Sequence, residues 1–322
     1  MLDSLVDLFG RLQLAVFEGL VQPLLYHLGM GNLVEDAFNG TGWVLMGLLQ
    51  LLVILTLFRA LEAWRPVEAV TDRAAIRTDV LYSVIHRLGL FKLVMFFSVD
   101  ALAVELAASL RLQGWNPWQP DALWPGVTDI AWVSFLIYLL IFDFVDYALH
   151  RGQHGFKRWW QLHALHHSQR QMTRWSDNRN HLLDDTLRDM AMVSVALALG
   201  VAPAQFVAIV ALTQLLESLS HANVKLHFGP VLGRVLVSPA YHRLHHAIGI
   251  GHESHGPGSL GGHNFAVLFP IWDILFRTAS FDFRWEPTGI RDQLPQEGAR
   301  DYGRGFWRQQ WLGLLRFARP TA

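Results

Sequence analysis

Apolar positions along this chain gather into long runs separated by charged stretches. Residues 37–58, between Asp36 and Arg59, form 22 uncharged and mostly apolar positions. As a helix they reach about 33 Å, enough for a hydrocarbon layer of about 30 Å. A second span is expected over about 80–108, interrupted by Lys92, Asp100 and Glu105. A third is expected over 128–149, with Asp143 and Asp146 in its final turns just before His150. The longest uncharged run, 190–216, is broken near Gly200 and Pro203, which predicts a kinked helix or a helical hairpin rather than one straight rod. The first 28 residues lack a basic start and a small-residue cleavage site, and read as an amphipathic interfacial helix.

The pattern predicts an all-α integral membrane helical bundle of about four spans, one of them a candidate hairpin, under a helical cap. The chain divides into an amphipathic segment (1–36), membrane helices (37–125), a histidine-bearing domain (126–280) and a C-terminal cap or tail (281–322). Charge orients the bundle. The first 42 residues hold one basic residue, Arg11, against five acids, whereas the loop from Arg59 to Asp79 holds four arginines. Residues 150–181 carry six basic side chains against one acid, Asp177. Basic loops stay in the cytoplasm, so the cap is expected on that side. The 23 arginines against 3 lysines hint at a GC-rich bacterial genome, hence a bacterial inner membrane.

Composition narrows the chemistry. Apolar residues make up 52% of the chain and charged ones 16%, well below the share in soluble domains. A net charge of -1 gives no electrostatic reason to expect nucleic acid. The absence of cysteine excludes disulfides, thiol nucleophiles and thiolate metal sites. Sixteen histidines remain, five of them within the 18 residues from His150 to His167.

They form three clusters: Asp143-x-x-Asp146-x-x-x-His150-x-x-x-His154, His163-x-x-His166-His167, and His242-x-x-His245-His246. Residues three or four apart share a helix face, so His150 and His154 project together, and His163 and His242 each align with the pair that follows. Three converging faces would supply eight imidazoles, enough for two metal ions with positions left open. Asp146, four residues before His150, is placed to accept the ring N–H that faces away from a metal; pairing with Arg151 or Lys157 is the alternative. His27, His86, His252, His255 and His263 stand outside the clusters. His252-Glu253-Ser254-His255 falls one residue short of the zinc-protease spacing, and Gly249 to Gly262 reads as a flexible loop rather than a phosphate cradle.

Over roughly residues 130–280 the chain resembles the fatty acid hydroxylase superfamily, membrane di-iron proteins that include sterol desaturases, sterol methyl oxidases and lipid hydroxylases. The three boxes stand in that family's order and spacing. Arg179-Asn180-His181, Ser220-His221-Ala222-Asn223-Val224 and Ser238-Pro239-Ala240-Tyr241-His242 resemble its flanking segments, as do Asn264-Phe265 followed by Trp272-Asp273 and Phe276. Three positions depart from it: Leu182 replaces the usual proline, while Ala266 and Arg277 each replace a glycine. The resemblance implies two iron ions, with zinc a possible substitute, that reduce O2 and attack an unactivated C–H bond of a lipid. It adds His221 as a further ligand, leaves His181 open between ligand and structural roles, and makes Asn223 and Asn264 candidates for holding ligand histidines in place.

Such chemistry needs electrons. The chain carries no flavin or nicotinamide fingerprint, so the expected source is an external ferredoxin, cytochrome or reductase at the cytoplasmic face. The basic stretch 151–174 would suit an acidic donor, or would simply reflect topology and lipid headgroup contact. Hydroxylation and desaturation share the first hydrogen abstraction and both stay open. A metal transporter or sensor would place its ligands on broken helices at the bilayer midplane. A non-catalytic scaffold stabilised by metal is the third reading.

Overall fold

The computed structural model describes residues 2–248 and 262–319; His252, His255 and most of the glycine-rich stretch lie outside them. Among the described residues the chain is helical without strands, its β pairing confined to an isolated antiparallel bridge between Ala247 and Thr288.

The N-terminal rod joins α1 (Leu2–Val16) to α2 (Gln22–His27) through a wide π-type turn. It lies against α3 (Val34–Val53): Phe17 meets the edge of Phe38 at 5.3 Å, and Gln13 Nε2 donates to the Phe38 carbonyl at 2.8 Å. A second π-type turn carries α3 into α4 (Arg59–Trp64), so Gly31–Trp64 is one helix of 34 residues. At 1.5 Å per residue it is about 50 Å long, which takes α4 beyond a 30 Å hydrocarbon layer.

The second span begins later than the apolar run suggested. α5 (Arg73–Arg87), capped by Asp72, ends at Gly89, whose φ of +75° turns the chain. Only then does the span Leu90–Leu112 start, as α6 (Leu90–Met95) and α7 (Ala101–Leu112). α5 carries Arg73 and Arg77 exposed and buries Asp79 and Arg87.

The third span, α8 (Ala131–Gly155), extends one and a half turns past its expected end and so carries His150 and His154 on its own tip. Phe156 is extended and breaks it from α9 (Lys157–His167). The long uncharged run resolves into a hairpin of α10 (Leu182–Leu199) and α11 (Pro203–His221). Gly200 adopts φ +65° at the turn, and Pro203 opens the second helix where its missing N–H costs nothing. Among the described residues four helices are long and apolar enough to cross a membrane: Gly31–Trp64, Leu90–Leu112, Ala131–Gly155 and Pro203–His221. Their outward leucines, valines and phenylalanines (Leu52, Leu55, Phe97, Leu102, Leu106) are exposed, the signature of an integral membrane protein whose solvent is lipid.

The cap is completed by α12 (Gly229–Leu232), α13 (Pro239–His245), α14 (Ile271–Leu275) and α15 (Phe306–Ala318). A core of Tyr138, Phe142, Met192 and Ile209 joins α8, α10 and α11 beneath the histidines. Close approach between helices is strictest at Gly47 in α3, where an added Cβ would stand 1.7 Å from the Arg87 carbonyl oxygen. Arg87 is buried and donates to Asp177 and Ser218, so it has little room to yield. Gly47→Ala is expected to destabilise the fold at or above the upper end of the ~1–3 kcal/mol typical of overpacking. Thermal unfolding in detergent measures it; an unchanged midpoint would contradict this contact.

Candidate metal centre

Four helices bring their histidines to one place. α8 contributes His150 and His154, α9 contributes His163, His166 and His167, α11 ends on His221, and α13 with the residue after it supplies His242, His245 and His246. All nine are buried.

Eight fall into two sets of four, each with ligand atoms within 4.8 Å of one another: His150, His154, His167 and His245, and then His166, His221, His242 and His246. The division runs through the sequence pairs. His166 and His167 go to different sets, as do His245 and His246. Consecutive helical residues project about 100° apart, so the two residues of each pair serve neighbouring sites rather than one. The sets abut where His246 stacks on His167, ring centroids 4.3 Å apart and planes 17° from parallel.

In the second set Nε2 of His221 lies 3.1 Å from that of His166 and 3.0 Å from that of His242, which is 3.1 Å from that of His246. Nitrogens each about 2.1 Å from one ion in a tetrahedron stand about 3.4 Å apart, so the spacing suits one shared cation. Burial, followed by the charge of neighbouring histidines, pulls the pKa of His166, His242 and His246 well below the usual imidazole value. The neutral, metal-binding form is therefore favoured. Their Nδ1 atoms are buried without a protein hydrogen bond.

Backbone carbonyls orient the other rings. His150 Nδ1 is 2.7 Å from the Phe265 carbonyl, His245 Nδ1 is 2.6 Å from that of His263, and His221 Nδ1 is 2.8 Å from that of Glu217. A donor–acceptor contact on one ring nitrogen fixes which way the other points. The loop presenting Phe265 is held by two buried carboxylates. Asp143 accepts from the backbone of Leu268 and Phe269 and from Trp272 Nε1, and Asp273 accepts from the backbone of Phe265 and Ala266 and from Tyr241 Oη.

Three expectations change. Asp146 does not serve His150: its carboxylate accepts from Arg188 Nε at 2.7 Å, a strong charge-assisted bond, while His150 uses the Phe265 carbonyl. Asn223 holds no histidine; it accepts from the backbone of Val67 and Glu68 and donates to the Glu68 carbonyl, strapping down the α4–α5 connection. His163 lies outside both four-membered sets, although its ring centroid is only 5.0 to 5.3 Å from those of His150, His154, His166 and His167. Its Nε2 is buried without a protein hydrogen bond.

Asp184, which sequence reasoning passed over, plays at His163 the kind of part expected of Asp146 at His150. One oxygen faces His163 Nδ1 at 3.1 Å; the other accepts from Gln153 Nε2 and Trp159 Nε1. The open question at His181 is also answered. Its Nδ1 accepts from Leu183 N as a helix cap and its Nε2 is 2.8 Å from the Gln310 carbonyl, so both nitrogens are engaged by backbone. Beside it the Leu182 N–H donates to Gln310 Oε1, a bond that proline could not make. Asn264 pins the Tyr241 carbonyl, one residue before His242. Arg277 has φ +59°, a left-handed conformation that explains why glycine is usual there.

This is a helical membrane protein with paired four-imidazole sets in its cap. Residues 135–278 match the fatty acid hydroxylase family. The chain is 27% identical over 237 residues to the ornithine lipid hydroxylase OlsE of Rhizobium tropici, covering 73% of this chain and 66% of that one. It is 25% identical over 167 residues to an alkylglycerol monooxygenase of Caenorhabditis elegans, covering 51% of this chain and 30% of the relative. The match thus spans just under two thirds of the first relative and under one third of the second. No solved structure matches the chain.

Proposed function

We propose that this chain is a membrane-bound di-iron oxygenase that hydroxylates a lipid, with the cap and metal centre on the cytoplasmic face of a bacterial inner membrane. The observation that carries this reading is the pair of abutting, buried, all-imidazole sets at the ends of membrane helices. His150, His154, His167 and His245 would hold one iron, His166, His221, His242 and His246 the other, with His163, whose Nε2 is buried without a protein hydrogen bond beside both sets, as a ninth ligand. Neutral nitrogen ligands suit iron and equally zinc, so the donor set fits the family's metal.

When bound, the irons supply the reduction of O2 and the hydrogen abstraction: a C–H bond, O2, two electrons and two protons give C–OH and water. The chain's own part is positioning. The carbonyls of Phe265, His263 and Glu217 fix the ring orientations, Asp143 and Asp273 hold the loop that carries the first of these, and burial under the cap keeps bulk water away. The electrons come from an external carrier, for which the exposed Lys157, Arg158 and Arg170 of the basic stretch 151–174 are the candidate landing site. The lipid relatives support the substrate class: one acts on an ornithine lipid, the other on alkylglycerol.

The test uses purified full-length protein from iron-supplied cells. About two irons per chain are expected. Reconstituted with a bacterial lipid extract, ferredoxin and a ferredoxin reductase under O2, it should give a lipid product about 16 Da heavier. A product 2 Da lighter would replace hydroxylation by desaturation; iron near zero would overturn the reading.

A further inference from the structure

A cavity lies between α5, α6, α8, α10 and α11, and the metal centre is its neighbour. Asp146, Asp185 and Arg188 line both this cavity and the space beside His150, His163, His166, His221 and His242. Its far wall is apolar, formed by Met192, Phe206 and Ile209, and α6 and α10 expose Leu93, Val94, Leu187 and Met190 towards lipid. An acyl chain can therefore lie in it with a polar end towards the histidines.

The polar wall is unbalanced. Two permanent cations, Lys92 and Arg188, face three carboxylates, Asp146, Asp185 and Asp189. Arg188 is committed to Asp146 at 2.7 Å, with Glu217 a further carboxylate 3.8 Å away; Lys92 is committed to Asp189. Asp185 has His86 Nε2 at 3.3 Å, without hydrogen-bond geometry. The Asp185 oxygen nearest His86, and the Asp189 oxygen that Lys92 does not engage, are buried and accept no hydrogen bond. These two residues are four apart on α10 and so present one face. Buried carboxylate in excess of its partners calls for a cation, and an ammonium offers three donors for such acceptors.

Resting on the hydroxylase reading, we propose that the cavity takes a lipid whose polar end bears an ammonium group, held by Asp185 and Asp189 while the chain lies along Met192 and Phe206. Arg188 keeps Asp146 and Glu217 neutralised at the wall shared with the metal centre, so it acts as a positioning residue there rather than as an anion receptor.

Binding, read apart from turnover, tests this. Full-length, metal-loaded protein in detergent is titrated with N-palmitoyl-lysine, N-palmitoyl-norleucine and N-palmitoyl-glutamate, which share chain and amide and differ in the terminal charge. The lysine probe should bind at least tenfold tighter than the norleucine probe. Asp185→Asn and Asp189→Asn should each remove most of that preference while leaving metal content unchanged, and Asp185→Glu should retain it. Equal binding of the probes, preference for the glutamate probe, or preference intact in both asparagine variants would overturn the proposal. Preference for the lysine probe in a protein that never oxygenates lipid would sustain the cavity's role and sink the hydroxylase reading; oxygenation without any preference would do the reverse.

Discussion

Alanine in place of His246 should leave a folded protein with at most half the metal of the unaltered chain and no measurable turnover. The argument starts from position. Nε2 of His246 lies 3.1 Å from that of His242 in one set, while its ring stacks at 4.3 Å on His167 of the other. Its removal takes one of four nitrogens from the second set and the packing partner of a ligand from the first. Without metal the side chain contributes little to the fold, because its Nδ1 is buried without a hydrogen bond, a burden of about 1–3 kcal/mol. The metal-free variant should therefore melt near, or above, the metal-free parent. Exposed His227, whose Nδ1 merely accepts from Gly229 N, is the control, and His227→Ala should retain both ions. Metal analysis with thermal scans of both forms decides the matter. Full metal in the His246 variant would remove it from the site, and metal lost together with the fold would show a structural role instead.

That the histidines of each cluster share a helix face was legible from spacing alone, because recurrences at three and four residues are a property of one helix. How they divide was not. The pairs His166–His167 and His245–His246 look like units in the sequence, yet a step of about 100° per residue sends their members to different sets. Long-range partners were equally hidden. Asp146 stands one turn from His150 but its carboxylate meets Arg188, 42 residues away, and Asp184 reaches His163 across 21 residues. Local reasoning favours the near carboxylate, whereas the hairpin of α10 and α11 supplies the one with better geometry. A cue existed: two aspartates, Asp184 and Asp185, in the first turn of a helix are more than the helix dipole needs. The spans show the same division. Long apolar runs marked four of them, whereas the start of the second depended on Gly89 adopting φ +75°, which no hydropathy pattern records.

Asp184→Asn puts the carboxylate's role to the test with an almost isosteric change. Three donors converge on this buried group: Gln153 Nε2 at 2.9 Å, Trp159 Nε1 at 2.6 Å, and His163 Nδ1 at 3.1 Å, which donates when protonated. An amide can accept on its oxygen but must turn its NH2 towards at least one of those donors. If the oxygen stays with Gln153 and Trp159, the NH2 faces His163 and forces the proton from Nδ1 to Nε2. The nitrogen directed at the neighbouring histidines then carries a hydrogen and no longer offers a lone pair to a metal. Loss of such an outer partner typically weakens metal binding by about 10–100-fold. The expected result is that affinity loss, measured by competition with a chelator, with a similar fall in turnover at limiting iron. Stability separates this from a packing defect. Ligand stabilisation follows RT ln(1 + [L]/Kd), so a 10–100-fold loss of affinity removes about 1.4–2.7 kcal/mol from the metal-loaded protein alone. Equal losses with and without metal would mean that Asp184 merely braces α10 against α8 and α9, and the histidine it faces would have to be dropped from the metal centre.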